Sequence, residues 1–179
     1  DAHLDRTVAL KVMAPHLSSS EAVLRRFLQE AGISGNLDHP NLAKVFDRGV
    51  TEGLAWYSME WIDGRPISAV IESMHLARRD DELGLEFGSK RYVDWVLEQT
   101  LATAQGLAHA HQQCVVHRDV KPLNMLLDRK HGTIKLIDFG LAVATDVTRY
   151  TQQGEVFGTI AYMAPEQARN AKHVDGRCD

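Results

Sequence analysis

His117-Arg118-Asp119-Val120-Lys121-Pro122-Leu123-Asn124 (HRDVKPLN, 117–124), followed further along by Asp138-Phe139-Gly140 (DFG, 138–140), is the stretch that decides how this chain is read. Asp119 and Asn124 lie five positions apart on a segment that contains Pro122, which sets them on a rigid turn rather than on a helix face. Asp138 follows the apolar run Ile134 to Ile137 directly, so its carboxylate is expected at the end of a short strand. These polar groups interrupt an otherwise apolar context, as does a third cluster, Gly158 to Glu166 (GTIAYMAPE). Asp138 and Asn124 together offer two hard oxygen ligands, which suits Mg²⁺, an ion that fills the rest of its shell with water and phosphate. Asp119 is then free to act as a base. A DFG tripeptide alone carries little information, but its place 19 residues after Asp119 in an HRDxKxxN octapeptide is specific.

Working outward, Thr7 to Met13 (TVALKVM) reads as a strand carrying Lys11, bounded by charge before and Pro15 after. Ser18 to Glu21 has the form of a capping box, and Leu24, Phe27, Leu28 and Ala31 follow at helical spacing, which predicts a helix from about Ser20 to Ser34. Leu42 to Val50 and Leu54 to Trp61 read as a hairpin turning through Thr51, Glu52 and Gly53. A short helix is expected from Pro66 to Met74, and then a solvated, charged loop from Arg78 to Lys90. Tyr92 to His111 predicts a long helix half-buried through Val93, Val96, Leu97, Leu101, Ala104, Leu107 and Ala108. Short strands follow at Val115–Val116, Met125–Leu127 and Thr133–Ile137. Trp56, Trp61 and Trp95 read as core or hinge-packing aromatics.

The chain has 179 residues, 44% of them apolar, with 20 basic against 24 acidic side chains and a formal net charge of -4, which fits one ordinary globular domain. That balance provides no basic stripe for a phosphate backbone and argues against nucleic acid as a partner. Cys114 and Cys178 stand 64 positions apart without a CxxC pairing, which fits a reducing, cytoplasmic setting and no cysteine zinc site. His109 and His111 are two apart on a helix and point away from each other, so His109, His111, Cys114 and His117 make a poor metal cluster. Apolar stretches are soon broken by charge, so no membrane contact is expected within this chain.

The clusters at 117–124, 138–140 and 158–166, together with VALKVM at 8–13 and HPNL at 39–42, resemble the eukaryotic-type protein kinases, serine/threonine subfamily, and EQA at 166–168 with VDGRCD at 174–179 is most similar to the bacterial members. The resemblance implies an α/β (α+β), protein-kinase-like bilobal fold in part: residues 1–62 in a sheet-rich lobe ending at the hinge, and 63–179 in a mainly helical lobe. A glycine-rich phosphate loop is expected before residue 1 and further helices after Asp179, which matches an aspartate that braces the catalytic loop from below. It implies transfer of the ATP γ-phosphate to serine or threonine hydroxyls of protein substrates, with Mg²⁺ as the metal and Mn²⁺ as a substitute. Lys11 would bind nucleotide phosphates and pair with Glu30, Asp119 would accept the hydroxyl proton, Lys121 would stabilise the transferring phosphate, and Asn124 and Asp138 would hold the metal. The adenine would lie under the strand ending in Met59, between Ala9 and Leu126, against a hinge from Glu60 to Ile62. Gly158 and Thr159 would belong to the substrate segment. Arg118 would meet a phosphate on the segment 141–163, where Thr145, Thr148 and Thr151 are candidates, with Thr148 or Thr151 expected as the autophosphorylated residue. The rival expectation is a nucleotide-binding pseudokinase scaffold without transfer.

Overall fold

A computed structural model of the chain describes residues 6–17, 20–139, 161–170 and 174–179, with backbone alone at Glu30 and Asn170. The expectations at Ser18, Thr145, Thr148, Thr151, Gly158 and Thr159, and the side-chain pairing of Glu30, lie outside the described residues.

The first sheet is antiparallel in the order β1 (Val8–Val12), β3 (Leu54–Glu60), β2 (Val45–Thr51). Its hairpin is closed by Glu52 and Gly53, both at positive φ (52° and 78°), which gives the two-residue turn a twist matching that of the strands. Strand β3 alternates strictly, burying Ala55, Tyr57 and Met59. Helix α1 (Glu21–Ser34) covers that side, setting Phe27 and Ala31 into a core shared with Met13, Ala43 and Ile62. Its cap position is Ser20, whose side chain makes no capping bond.

The second sheet runs β4 (Gly64–Pro66), β7 (Met125–Asp128), β8 (Ile134–Leu136), also antiparallel. Gly64 is required by this pairing, because a Cβ there would stand 2.1 Å from the Leu127 carbonyl oxygen. The two sheets are tied through the segment before β2: Ala43 N–H donates to the Leu136 carbonyl at 2.8 Å, and Leu136 N–H to the Asn41 carbonyl at 2.8 Å. The buried Asn41 amide adds bonds to the Ile134 carbonyl (2.9 Å) and Thr133 Oγ1 (3.0 Å).

Helix α2 (Ile67–Leu76) leads into a structured element where a loop was expected. β5 (Arg79–Asp80) and β6 (Leu85–Glu86) pair antiparallel, and Asp80 and Leu85 are buried. The cause is an ion-pair network invisible to periodicity: Arg65 meets Asp80 at 2.5 Å and Glu82 at 3.2 Å, and Arg129 joins Glu82 and Asp63, each at 2.9 Å. Burial pushes the Asp80 carboxyl up, but the bonds from Arg65 and the Leu83 N–H outweigh that and hold it below its ordinary value.

Helix α3 (Lys90–Gln112) begins at Ser89, whose hydroxyl accepts from Tyr92 N–H at 3.1 Å. Within this chain the face turned to β8 is not the expected apolar one. Gln99, Thr103, Gly106 and Ala110 are covered, whereas Val93 (47% exposed), Leu97 (63%) and Leu101 (60%) face outward with Val96, Ala104 and Ala108. The side turned to β8 must pass close to Leu42 and Asn41, where a Cβ on Gly106 would already meet Leu42 Cδ2 at 3.0 Å. Leu107 alone of the expected face packs on the second core, formed by Leu37, Leu42, Ala110, Leu136 and Phe139. Helix α4 (Pro165–Asn170) follows later in the chain. No helix among the described residues is long and apolar enough to cross a membrane.

Candidate active site

The HRDVKPLN turn is held from beneath by Asp179. Its side chain is fully buried and accepts from Arg118 N–H at 2.6 Å, His117 N–H at 2.7 Å and His111 Nε2 at 2.8 Å, with Cys178 Sγ at 3.8 Å. Arg118 takes a left-handed backbone (φ 67°), a conformation that costs a non-glycine residue about 1–3 kcal/mol and persists only when its surroundings over-determine it. Here they do, with Asp179 on its N–H and the Gln167 amide donating to its carbonyl at 2.8 Å.

His117 is entirely buried and stacks at 4.5 Å, tilted 54°, on Phe139. Asp119 N–H donates to its Nδ1 (3.2 Å), so the proton must be on Nε2, which donates to the Ile137 carbonyl at 3.0 Å. Desolvation pushes its pKa below the ordinary value, against the raising pull of Asp179, the Ile137 carbonyl, Asp119 and Asp138. The ring is thus a neutral strut linking the turn to the strand that carries Asp138.

On that frame the polar side chains converge. Pro122–Asn124 form one 3₁₀ turn, which brings Asn124 back onto Asp119. The Asn124 amide nitrogen donates to the Asp119 carbonyl (2.8 Å) and to Oδ2 (2.7 Å), while Lys121 Nζ meets the same Oδ2 at 2.8 Å. With its nitrogen spent on Asp119, Asn124 has its side-chain oxygen left to accept or to ligate. Ile137 N–H donates to the Asn124 carbonyl at 3.0 Å, which brings Asp138 alongside. Asp138 is also left-handed (φ 64°), and its Oδ1 receives Lys11 Nζ at 2.7 Å and the Tyr57 hydroxyl at 3.0 Å. Lys11 therefore spans from β1 to the lower strand. Glu30 lies on α1 one position before the buried Ala31. An amide oxygen and a carboxylate, both hard, fit a divalent cation such as Mg²⁺ that completes its shell from water and phosphate.

Beside this cluster, Ala9 pairs across the sheet with Met59, and Ala9 and Leu126 both pack partly buried on the core that contains Met59 and the buried Ile62. Glu60 spends its N–H on the Lys44 carbonyl (2.8 Å) and its carboxylate on Lys135 Nζ (2.7 Å). Trp61 is 59% exposed, which corrects its reading as a packed aromatic: its neighbour Ile62 turns inward instead. Sequence reasoning passed over Tyr57 and Gln167. A signal for Tyr57 did exist, because a phenol on the covered face of an alternating strand has to find a partner for its hydroxyl.

With this geometry in hand, likeness to known proteins is informative. The whole chain, residues 1–179, matches the protein kinase domain family. It is 39% identical over 173 residues to the serine/threonine-protein kinase PknA of Mycobacterium tuberculosis, an alignment covering 94% of this chain and 37% of the relative. Identity to PknJ of the same organism is 37% over 179 residues, covering 98% and 28%. For the serine/threonine-protein kinase PrkC of Bacillus subtilis it is 34% over 169 residues, covering 94% and 24%. The crystal structure of the Mycobacterium tuberculosis PknI kinase domain superposes with a TM-score of 0.68 at 30% identity, over 96% of this chain and 58% of that one. The chain thus spans 24% to 37% of the length of these curated relatives.

Proposed function

Because the chain belongs to the protein kinase domain family and carries part of its bilobal α/β fold, we propose that its protein transfers the γ-phosphoryl group of ATP to serine or threonine hydroxyls of protein substrates. The observation that carries this reading is a pair of adjoining polar groups, Lys11 with Asp138 at 2.7 Å and Asp119 with Lys121 (2.8 Å) and Asn124 (2.7 Å), joined through the backbone by the Ile137 N–H on the Asn124 carbonyl at 3.0 Å. In this reading residues 1–62 and 63–179 are the two lobes, and the adenine ring lies between Ala9 and Leu126 with Met59 behind it and Glu60 to Ile62 along its edge.

Phosphoryl transfer spreads charge over non-bridging oxygens, and fixed cations in a dry cleft stabilise that charge without reorganising. Lys11 binds the phosphates, with Glu30 as its partner in the working arrangement. Asp119, bonded by Lys121 and the Asn124 amide, orients the attacking hydroxyl and takes its proton. Lys121, beside that carboxylate, then faces the phosphate as it moves. Asn124 and Asp138 would hold Mg²⁺, or Mn²⁺ in its place, which supplies charge neutralisation on the transferring group. Lys121 in the HRDxKPxN form favours serine and threonine over tyrosine, with Gly158 and Thr159 in the substrate segment. Autophosphorylation at Thr148 or Thr151, met by Arg118, belongs to the same proposal, with the catalytic region in the cytoplasm. Mass spectrometry of the active protein that finds no phosphate between residues 141 and 163 removes that part.

The decisive assay is transfer of labelled γ-phosphate from ATP to a protein such as casein by the full-length protein. Asp119→Ala is expected to lower kcat by about 10²- to 10³-fold, the cost of deleting one group that stabilises the transition state. Near-normal turnover by that variant would refute the assignment. Nucleotide binding with no transfer by the wild-type protein would favour a pseudokinase scaffold instead.

A further inference from the structure

Strand β3 buries one hydroxyl. Tyr57 sits between Ala55 and Met59 on the covered side of the sheet, with only 3% of the residue exposed. A phenol in such a place needs a partner for its O–H, and the partner chosen tells what the residue is for. The hydroxyl reaches Asp138, 81 positions later in the chain, and donates to Oδ1 at 3.0 Å. Lys11 Nζ meets the same oxygen at 2.7 Å and lies 6.0 Å from the Tyr57 ring centroid. Two donors on one oxygen restrain the carboxylate's rotation and leave Oδ2 for a cation. The tyrosine is itself braced, since its ring packs on Phe27 of α1 at 5.3 Å, tilted 43°. A cavity of about 10 Å³ lies beside it, bounded by Ala31, Ser34, Met59 and Asp138.

We propose that Tyr57 is a positioning residue for Asp138: its hydroxyl, carried on β3 and braced by α1, holds Oδ1 in register with Lys11 so that Oδ2 is presented to a divalent cation bound with nucleotide. The inference rests on the proposed kinase reading. Asp138 has a left-handed backbone, a conformation that persists only where its surroundings over-determine it, and the contacts of its side chain with Lys11 and Tyr57 are part of those surroundings. It also makes α1 a participant in metal binding, because movement of Phe27 would move the tyrosine ring.

The test uses the full-length protein saturated with the non-hydrolysable nucleotide AMP-PNP, with Mn²⁺ binding read by electron paramagnetic resonance. Tyr57→Phe keeps the ring and removes the hydroxyl, and is expected to weaken Mn²⁺ binding by about 10-fold, the effect of one hydrogen bond to a charged group. The Mg²⁺ concentration needed for half-maximal transfer should rise by a similar factor, while kcat at saturating Mg²⁺ changes by less than about 3-fold, as expected for a group that acts through metal affinity. Equal Mn²⁺ affinity in wild type and Tyr57→Phe overturns the inference, as does a fall in kcat at saturating Mg²⁺ with metal affinity unchanged. Should the variant fail to fold, 3-fluorotyrosine at position 57 of the otherwise native protein replaces it. Its ¹⁹F resonance should shift when Mg²⁺ is added to the AMP-PNP complex, and an unmoved resonance overturns the proposal. Wild-type protein that binds no Mn²⁺ even with nucleotide removes the kinase reading itself, and this inference with it.

Discussion

Strand β3 and helix α3 are the two elements whose hydrophobic pattern is easiest to read, and they turn out opposite ways. β3 buries the side its alternation indicates, Ala55, Tyr57 and Met59. α3 has the expected length and period, yet its apolar stripe of Val93, Leu97 and Leu101 faces outward while Gln99, Thr103, Gly106 and Ala110 are covered. The difference lies in what each face must touch. β3 meets a helix with apolar side chains on it, so area buried decides. α3 meets strand backbone: the Gln99 amide donates to the Gly132 carbonyl at 3.2 Å and its oxygen accepts from Ile134 N–H at 3.0 Å. Small residues and one amide suit that approach better than leucines would. Periodicity identifies an element and its faces, but not which face its neighbours take.

Substitutions on the two elements should separate these modes. Met59→Ala on β3 removes a buried side chain and is expected to cost about 2–5 kcal/mol in urea unfolding, through lost transfer energy and a cavity. A cost below about 1 kcal/mol would mean that β3 is not the packed element described here. Gln99→Ala on α3 leaves the Ile134 N–H and Gly132 carbonyl without their partner, and should cost about 1–3 kcal/mol despite removing no apolar group. If Leu97→Gln cost more than Gln99→Ala in the 179-residue chain, the assignment of faces on α3 would be reversed.

Acidification probes the junction between the two regions, where α3 reaches Asp179 through His111 and the HRDVKPLN turn begins. His117 is held neutral by burial, with Asp179, Asp119 and Asp138 opposing, so its folded pKa lies below the ordinary 6.5. Its contribution is complete above that value and is lost as pH falls through it, because the unfolded chain then binds the extra proton. The stability slope in that window should approach about 1.4 kcal/mol per pH unit for this one group. His39, also pushed down by burial and by His109, acts in the same direction. Urea midpoints at pH 7.5 and 5.5 should differ accordingly, and identical midpoints would show that His117 titrates alike in the folded and unfolded chain.

The smallest effect belongs to the exposed stripe. Leu97→Gln in the 179-residue chain should change unfolding by no more than about 0.5 kcal/mol, while reducing self-association measured by light scattering, since an outward apolar stripe promotes contact between copies. Unchanged scattering would show that the stripe does not drive association.

Much of the site could be read along the chain because its chemistry is local. HRDVKPLN is one tight turn, and Asp119, Lys121 and Asn124 meet there through contacts within five residues. Helix α1 and the β2–β3 hairpin were legible for the same reason: a period of 3.6 and a two-residue turn both act over short distances. The segment from Arg78 onward was not, because the hairpin β5–β6 depends on Arg65 and Arg129, which charge alone does not distinguish from solvated neighbours.

By itself, then, the sequence determined most of the helices and the longer strands, their order and the candidate site residues, since these follow from backbone preference and from spacing along one chain. Only the tertiary structure decided which face of α3 is covered, that Asp179 supports the turn from 62 residues away, and that Tyr57 joins Lys11 on Asp138. Those outcomes depend on which surfaces meet, and a buried polar group selects its partner from whatever the folded neighbours bring within about 3 Å, however distant in the chain.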